Sequence, residues 1–249
     1  MISKEITEKE VQQMRVTLMS YNTQHCMNYV TREIDFDIMA DTIKKCGADI
    51  VGMQEMYKKG VGPDRIPQAA FLAEKLGFHH YFASALKPKD GNDYGNALIS
   101  RYPILEAETI MIPNPPEKKY HGYYETRCLL KAKIDVAGGL TVLVSHFGLN
   151  PDEQENAVQT VIDNLSGEKC VLLGDFNMQP DNALLNPIRE RLYDTAEKFD
   201  EPKLSFPSDA PKIKIDYIFT SRDLQVLSAD IPAIVSSDHR PHIATVELA

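Results

Sequence analysis

The stretch Cys170-Val171-Leu172-Leu173-Gly174-Asp175-Phe176-Asn177 is a short apolar run that ends in polar side chains. Residues 170–173 have the composition of a strand buried on both faces, and the polar motif follows directly. The end of a strand holds a side chain in a fixed place, and the loops after strands are where functional sites gather. The stretch therefore predicts a buried strand with a polar site at its carboxyl end.

Three further apolar, strand-like runs are followed by polar motifs of the same kind. The runs and their motifs are residues 16–19 with Asn22, residues 50–53 with Glu55, and residues 231–235 with Asp238 and His239. If these side chains converge, the site combines hard oxygen ligands with a group that carries protons. That combination suits a magnesium-type ion and phosphoryl chemistry.

Length and composition predict a single globular domain. The chain has 249 residues, 43% of them hydrophobic, which is enough for one large core. We expect one catalytic domain over residues 1–249, with residues 1–13 as an N-terminal extension. Four scattered cysteines without a Cys-x-x-Cys spacing favour reduced thiols in a cytoplasmic chain. No run approaches the ~20 apolar residues of a transmembrane segment. We expect the protein to be a monomer.

The charge of the chain argues against broad binding of nucleic acid. The formal net charge is −9, and no basic run is denser than residues 212–214. An acidic surface repels the phosphate backbone of DNA or RNA. Metal ions held by carboxylates would offset part of this negative charge.

Strand and helix signals alternate along the chain. Helical spacing and a following glycine predict helices at residues 35–46 and 67–76, and an N-cap at Asn150 predicts a third that runs to residue 165. About ten strands are predicted, which is too many for one doubly wound sheet of this length. The fold class is therefore α/β, with two mixed β-sheets packed face to face and helices outside, a four-layered sandwich.

Seven short motifs in order resemble the endonuclease/exonuclease/phosphatase superfamily. They lie at Asn22, Glu55, residues 95–103, His146, residues 174–177, Asp216, and residues 237–239. Each is weak alone, but their shared order is specific. The chain resembles a bacterial-type member with a deoxyribonuclease-like or neutral sphingomyelinase-like fold. The resemblance implies the four-layered sandwich and metal-dependent cleavage of phosphoester bonds.

The resemblance also implies roles for the polar residues around a metal ion. Glu55 resembles the metal-binding glutamate of the family, and Asn22 and Asp238 resemble its neighbours around the ion. The implied ion is Mg²⁺, with Mn²⁺ as the alternative. Taken alone, Glu55 could be a solvated side chain after a strand, and Asn22 could cap or turn the chain.

The catalytic roles follow in the same way from the resemblance. Asp175 resembles the aspartate that orients or deprotonates the attacking water, and Asn177 the residue that holds a phosphoryl oxygen. His239 resembles the histidine beside the scissile phosphate, with Asp216 orienting its ring. His146 matches a histidine of the deoxyribonuclease and sphingomyelinase branches, where the abasic-site repair branch has a tyrosine. The alternatives are a plain turn at residues 175–177 and a structural core histidine at His146.

A proline-rich loop at residues 113–125 is a candidate wall of the site. It carries Tyr120, Tyr123 and Tyr124, and Arg127 follows it closely. We assign all four to substrate binding, with a rigid surface loop as the alternative for the tyrosines and a surface strand residue as the alternative for Arg127.

The predicted activity is hydrolysis of a phosphodiester or phosphomonoester in a small molecule or a lipid headgroup. The charge of the chain favours such substrates over nucleic acid. The alternatives are an endonuclease or exonuclease that acts on DNA or RNA, and a non-catalytic binding protein that keeps the fold. Retention of both the metal-binding and the water-activating groups favours the enzyme.

Overall fold

The computed structural model describes residues 14–61, 65–89 and 91–248, so the predicted extension at residues 1–13 lies outside the described residues. The strands of the described residues are β1 (Met14–Asn22), β2 (Ile50–Tyr57), β3 (His79–Leu86), β4 (Tyr94–Ser100), β5 (Ile104–Met111), β6 (Cys128–Ile134), β7 (Leu140–His146), β8 (Cys170–Asp175), β9 (Tyr193–Asp194), β10 (Asp216–Thr220), β11 (Gln225–Asp230) and β12 (His242–Leu248). The α-helices are α1 (Phe36–Lys45), α2 (Gln68–Leu76), α3 (Pro151–Asn164) and α4 (Asn186–Arg191). Short 3₁₀ helices lie at Gln24–Cys26, Ala183–Leu185 and Thr195–Lys198.

The strands form two mixed sheets of six strands each. One sheet has the order β11-β12-β1-β2-β4-β3, and the other has the order β5-β6-β7-β8-β10-β9. Each sheet has one parallel pair near its centre, β1 with β2 and β7 with β8, and the other pairs are antiparallel. Parallel neighbours end at the same edge of a sheet, so these central pairs bring the ends of four strands to one side of the molecule.

Three apolar clusters separate the layers. The central cluster packs the inner faces of the sheets together, with Leu18 on β1 facing a set that includes Leu173 on β8. A second cluster joins one sheet to α1 and α2, and a third joins the other sheet to α3 and α4. Helices therefore cover the outer faces of both sheets, as the sequence predicted.

Most predicted elements are confirmed, including the three helices and the Asn150 cap. The Asn150 side chain and Glu153 form a reciprocal capping box at the start of α3. All four cysteines are free, and three of them are buried. None of the described helices combines the length and apolar character that a bilayer-spanning segment requires.

The prediction of a strand at residues 231–235 is wrong. The segment is an irregular loop in which the Ile234 N–H donates to the Pro232 carbonyl at 2.7 Å. Pro232 has no N–H to donate to a neighbouring strand, and the Ile234 N–H is used within the local turn. The segment therefore does not form the hydrogen bonds of a β-sheet. The sequence indicates a change from helix to strand at His79 and His80 but does not give the bounds of β3, whose first two residues are exposed.

Gly52 on β2 lies at a close approach of the two sheets. A Cβ at this position would lie 2.9 Å from Cγ2 of Val144 and 3.0 Å from Cβ of Leu173, which belong to the facing sheet. We expect Gly52→Ala to lower the free energy of unfolding by roughly 1–3 kcal/mol, because interiors tolerate overpacking poorly. Chemical denaturation measures this loss. The matched control is Gly167→Ala, where a Cβ meets nothing within 4 Å, and equal stability of the two variants would contradict the prediction.

Candidate active site

The predicted polar residues meet where the central strands of the two sheets end. Asn22 is the last residue of β1, and Asp175 and His146 are paired at the ends of β8 and β7. Asp216 begins β10 directly opposite Asp175, because these two strands are antiparallel. The fold therefore brings residues that are far apart in the chain into one buried cluster at the edge between the sheets.

Glu55 reaches this cluster through an irregularity in β2. The register between β2 and β4 shifts between Met53 and Met56, and Glu55 has a left-handed backbone with φ of +61°. A bulge of this kind redirects a side chain that regular strand geometry would point elsewhere. A non-glycine residue in this region is strained by ~1–3 kcal/mol, which the surrounding structure must offset.

The Asn22 amide connects two carboxylates. Its Nδ2 donates to Glu55 Oε1 at 3.0 Å and to Asp175 Oδ2 at 3.1 Å. Its Oδ1 accepts from the backbone N–H of Gln24 at 3.1 Å, so the turn that was an alternative interpretation of Asn22 is also present. Because Asn22 is fully buried, this amide holds both acids in fixed positions.

Asp175 is the most connected side chain of the cluster. Its Oδ1 accepts from the Asn177 backbone N–H at 3.0 Å. Its Oδ2 lies 3.5 Å from Nε2 of His146 and 3.6 Å from Nε2 of His239. Burial raises the pKa of Asp175 to about 7, and the nearby His239 opposes this rise. The carboxyl group is therefore tuned for proton exchange near neutral pH.

His239 is paired with a buried carboxylate. Its Nδ1 lies 2.9 Å from Asp216 Oδ2, and both side chains are at least 95% buried. Burial disfavours the charged ring, but the carboxylates of Asp216 and Asp175 outweigh it and raise the pKa of His239 to about 10. A carboxylate accepts only, so Nδ1 carries a proton and Nε2 points towards Asp175.

His146 has the opposite environment. Its Nδ1 lies 3.0 Å from NH1 of Arg127, which in turn forms an ion pair with Glu125 at 2.5 Å. Burial, the Arg127 charge and His239 keep the pKa of His146 well below its usual range. The Asn177 amide lies 3.2 Å from Nε2 of His146. The ring is therefore neutral and bound on both sides, although the sequence alone left open a purely structural role.

The carboxylates of Glu55 and Asp238, the two candidate metal ligands, are close enough to repel each other. The Glu55 side chain is 22% exposed, so solvent reaches it, and Asp238 Oδ1 accepts from Ser237 Oγ at 3.1 Å. Burial raises the pKa of Asp238, and repulsion from Glu55 adds to the rise. A bound divalent cation would relieve this repulsion, and oxygen donors without thiolates fit Mg²⁺ or Mn²⁺. Among the described residues, ligand atoms of Asp175, Asp216 and His239 lie within 4.8 Å of one another, and this grouping could hold a metal ion.

The predicted tyrosines lie on a loop that is tied to the start of α3. The Tyr124 hydroxyl donates to the Asp152 carboxylate and lies 3.0 and 2.8 Å from its two oxygens. Tyr120 and Tyr123 are 45% and 69% exposed. The loop ends at Glu125, whose ion pair with Arg127 connects it to His146.

Two residues of the site, His25 and Tyr94, escaped the sequence analysis. His25 Nδ1 lies 3.0 Å from the Glu55 carbonyl, and its ring contacts those of Tyr57 and Tyr94. Burial raises the pKa of Tyr94, and the charges of Glu55 and Glu125 add to the rise. A signal for His25 existed in the polar run that follows Asn22, but three consecutive left-handed residues direct it, and no sequence pattern predicts them.

A family model with the description "Endonuclease/Exonuclease/phosphatase family" matches residues 19–239, which include every candidate catalytic and metal-binding residue named above. The chain belongs to this family. Its members are generally phosphoesterases that use divalent metal ions, which agrees with the acidic and histidine side chains gathered here.

Several solved structures share this fold, and two of those given below are described as phosphatases of a stated kind. An endonuclease/exonuclease/phosphatase from Beutenbergia cavernae is 22% identical with a TM-score of 0.75, covering 94% of this chain and 72% of that one. A mannosyl-6-phosphatase from Bacteroides thetaiotaomicron is 18% identical with a TM-score of 0.73, covering 93% and 99%. ANGEL2, described as a 2',3'-cyclic phosphatase, is 17% identical with a TM-score of 0.72, covering 96% and 97%. At these identities the likeness establishes the fold alone.

Replacing Asp216 tests the electrostatic arrangement. In Asp216→Asn, His239 loses the nearest charge that favours its protonated form, while the burial that disfavours it remains. We expect the pKa of His239 to fall from about 10 towards or below its unperturbed value of ~6.5. Titration of the ring by NMR measures this. The control is Asp37→Asn, which removes an exposed carboxylate paired with Lys75, and an unchanged His239 pKa in Asp216→Asn would contradict the assignment.

Proposed function

We propose that the protein is a metal-dependent hydrolase that cleaves a phosphoester bond in a small molecule or a lipid headgroup. The observation that supports this best is the position of Asp175. Its buried carboxyl group lies between two histidines and is joined through Asn22 to Glu55, the candidate metal ligand. A water-activating acid beside a candidate cation site is an arrangement suited to metal-assisted hydrolysis of a phosphoester.

Each side chain then has a distinct task. Asp175 orients the attacking water and accepts its proton, which its raised pKa permits near pH 7. Asn177 holds a non-bridging phosphoryl oxygen. The His239 cation, kept charged by Asp216, stabilises negative charge that develops at the phosphoryl group. A divalent ion held by Glu55 and Asp238, with Asn22 beside them, would supply further charge stabilisation.

The surface around the site supports a small or lipid-like leaving group. The net charge of −9 disfavours long contacts with a phosphate backbone. Tyr120 and Tyr123 present flat rings on a loop that is anchored next to the site, where they suit a partly apolar group. Two proteins of the same fold are named as a mannosyl-6-phosphatase and a 2',3'-cyclic phosphatase, which is consistent with a compact phosphate ester.

The metal assignment is tested by calorimetric titration with Mg²⁺ and Mn²⁺. We expect Glu55→Gln to weaken metal binding by ~10-fold or more, because the charged ligand is replaced by a neutral amide of the same shape. The control is Glu190→Gln, whose side chain is 74% exposed, and which should bind metal like the wild type. Equal affinity of Glu55→Gln and the wild type would exclude Glu55 as a ligand.

The activity is tested with a panel of esters in Mg²⁺ or Mn²⁺. The panel contains a chromogenic phosphodiester, a phosphomonoester, sphingomyelin, plasmid DNA and RNA. We expect turnover of a small or lipid ester, and a fall in kcat of ~10²-fold or more in Asp175→Asn with little change in KM. A gel shift with this inactive variant at physiological salt should show weak or no retention of duplex DNA.

The panel separates the competing functions. Preferred cleavage of DNA or RNA, with submicromolar salt-sensitive binding of a duplex, would replace the proposed substrate with nucleic acid. Near-wild-type kcat in Asp175→Asn would remove Asp175 from the proposed mechanism. A protein that binds the metal but cleaves no ester of the panel would favour the non-catalytic alternative.

A further inference from the structure

His146 faces a hydrogen-bond donor at each of its ring nitrogens. NH1 of Arg127 lies 3.0 Å from Nδ1, and Nδ2 of Asn177 lies 3.2 Å from Nε2. A guanidinium and an amide nitrogen only donate. A neutral imidazole has one N–H and one acceptor, so it can accept from only one of the two. A doubly protonated ring could accept from neither and would place an N–H against the guanidinium.

Arg127 is the stronger of the two hydrogen-bond donors to His146. Its guanidinium is charged, and a charge-assisted hydrogen bond is roughly twice as strong as a neutral one. The same NH1 forms the ion pair with Glu125, and both side chains are largely buried, at 11% and 16% exposed. The Asn177 amide has another acceptor, the Phe147 carbonyl at 3.1 Å. His146 therefore accepts at Nδ1 and carries its proton at Nε2.

The two histidines beside Asp175 are held in complementary states. Nε2 of each lies about the same distance from Asp175 Oδ2, 3.5 Å for His146 and 3.6 Å for His239. Behind His239 lies the Asp216 carboxylate, which keeps a proton on Nδ1. Behind His146 lies the Arg127 cation, which keeps the proton off Nδ1. His239 is therefore a charged donor and His146 a neutral donor, and Nε2 of each ring faces Asp175 Oδ2.

We propose that Arg127 is a positioning residue that fixes the Nε2–H tautomer of His146, so that this histidine donates a hydrogen bond to the phosphoryl group during hydrolysis. This rests on the proposed function for the identity of the acceptor, but the tautomer itself depends only on the contacts of the folded protein. Arg127 then acts through His146 and not by contact with the substrate, which revises the role that the sequence suggested for it. Without the guanidinium, Asn177 would donate to Nε2 and the proton would move to Nδ1.

The tautomer is measured directly by NMR of ¹⁵N-labelled imidazole rings. The chain has seven histidines, so the His146 signals are assigned by their loss in His146→Gln. We expect the Nε2–H pattern in the wild type and in Arg127→Lys, which keeps a charged donor. We expect the Nδ1–H pattern in the double variant Arg127→Met with Glu125→Gln, in which the second change avoids a buried unpaired carboxylate.

Kinetics on the ester found by the panel give the second readout. The double variant should lose roughly 10²-fold in kcat with a smaller change in KM, because a wrong tautomer removes a bond made in the transition state. Arg127→Lys should recover most of this loss. The control is Arg101→Met, which removes an exposed arginine paired with Asp49 and should change neither the tautomer nor kcat.

Two results would overturn the proposal. One is an Nδ1–H or doubly protonated His146 in the wild type at neutral pH, a measurement that needs no variant to fold. The other is an unchanged Nε2–H pattern in a folded double variant, which would mean that Arg127 does not set the tautomer. Failure of the panel to show hydrolysis would count against the proposed function, while the NMR result on the resting protein would still decide the role of Arg127.

Discussion

The hydrogen bond between Asp216 and His239 is the contact on which the rest of the site depends. The strand pairing of β8 with β10 sets Asp216 opposite Asp175, and both carboxyl groups are almost fully buried. Two unpaired buried carboxylates would each cost several kcal/mol of desolvation. The imidazolium of His239 lies 2.9 Å from one and 3.6 Å from the other, so it offsets charge on both. Asp175, held in this way, accepts the hydrogen bond from Asn22 and lies at a fixed position beside His146.

Much of the architecture follows from local chemistry that a single sequence displays. The apolar run before Asp175 predicts a buried strand, and the N-cap at Asn150 predicts the start of α3. Strand ends that carry polar residues predict a site, since parallel neighbours end at one edge of a sheet. The family resemblance then connects the motifs to the two-sheet sandwich, which the structure confirms.

The details that escape the sequence are those decided by tertiary contacts. The left-handed backbone of Glu55 depends on a register shift between two strands, and no residue type at that position announces it. The partner of Arg127 is a histidine 19 residues away, brought near by the pairing of β6 with β7. Residues 231–235 look like a strand in composition, but Pro232 and a local turn prevent it. In the first two cases residues elsewhere in the chain decide the local structure, whereas at residues 231–235 a proline and a turn within the segment decide it.

The attachment of the 113–125 loop has an evolutionary consequence. At the start of α3 the loop donates hydrogen bonds from the backbone N–H groups of Lys119 and Glu125 and from the Tyr124 hydroxyl, and the Tyr123 carbonyl accepts one from the Asn150 amide. Tyr120 and Tyr123 project into solvent between these anchors. Substitution of these two exposed side chains therefore leaves the anchoring hydrogen bonds of the loop and the buried carboxylates of the cluster in place. If these two side chains contact the substrate as proposed, substrate preference can change at positions that neither anchor the loop nor belong to the buried carboxylate cluster.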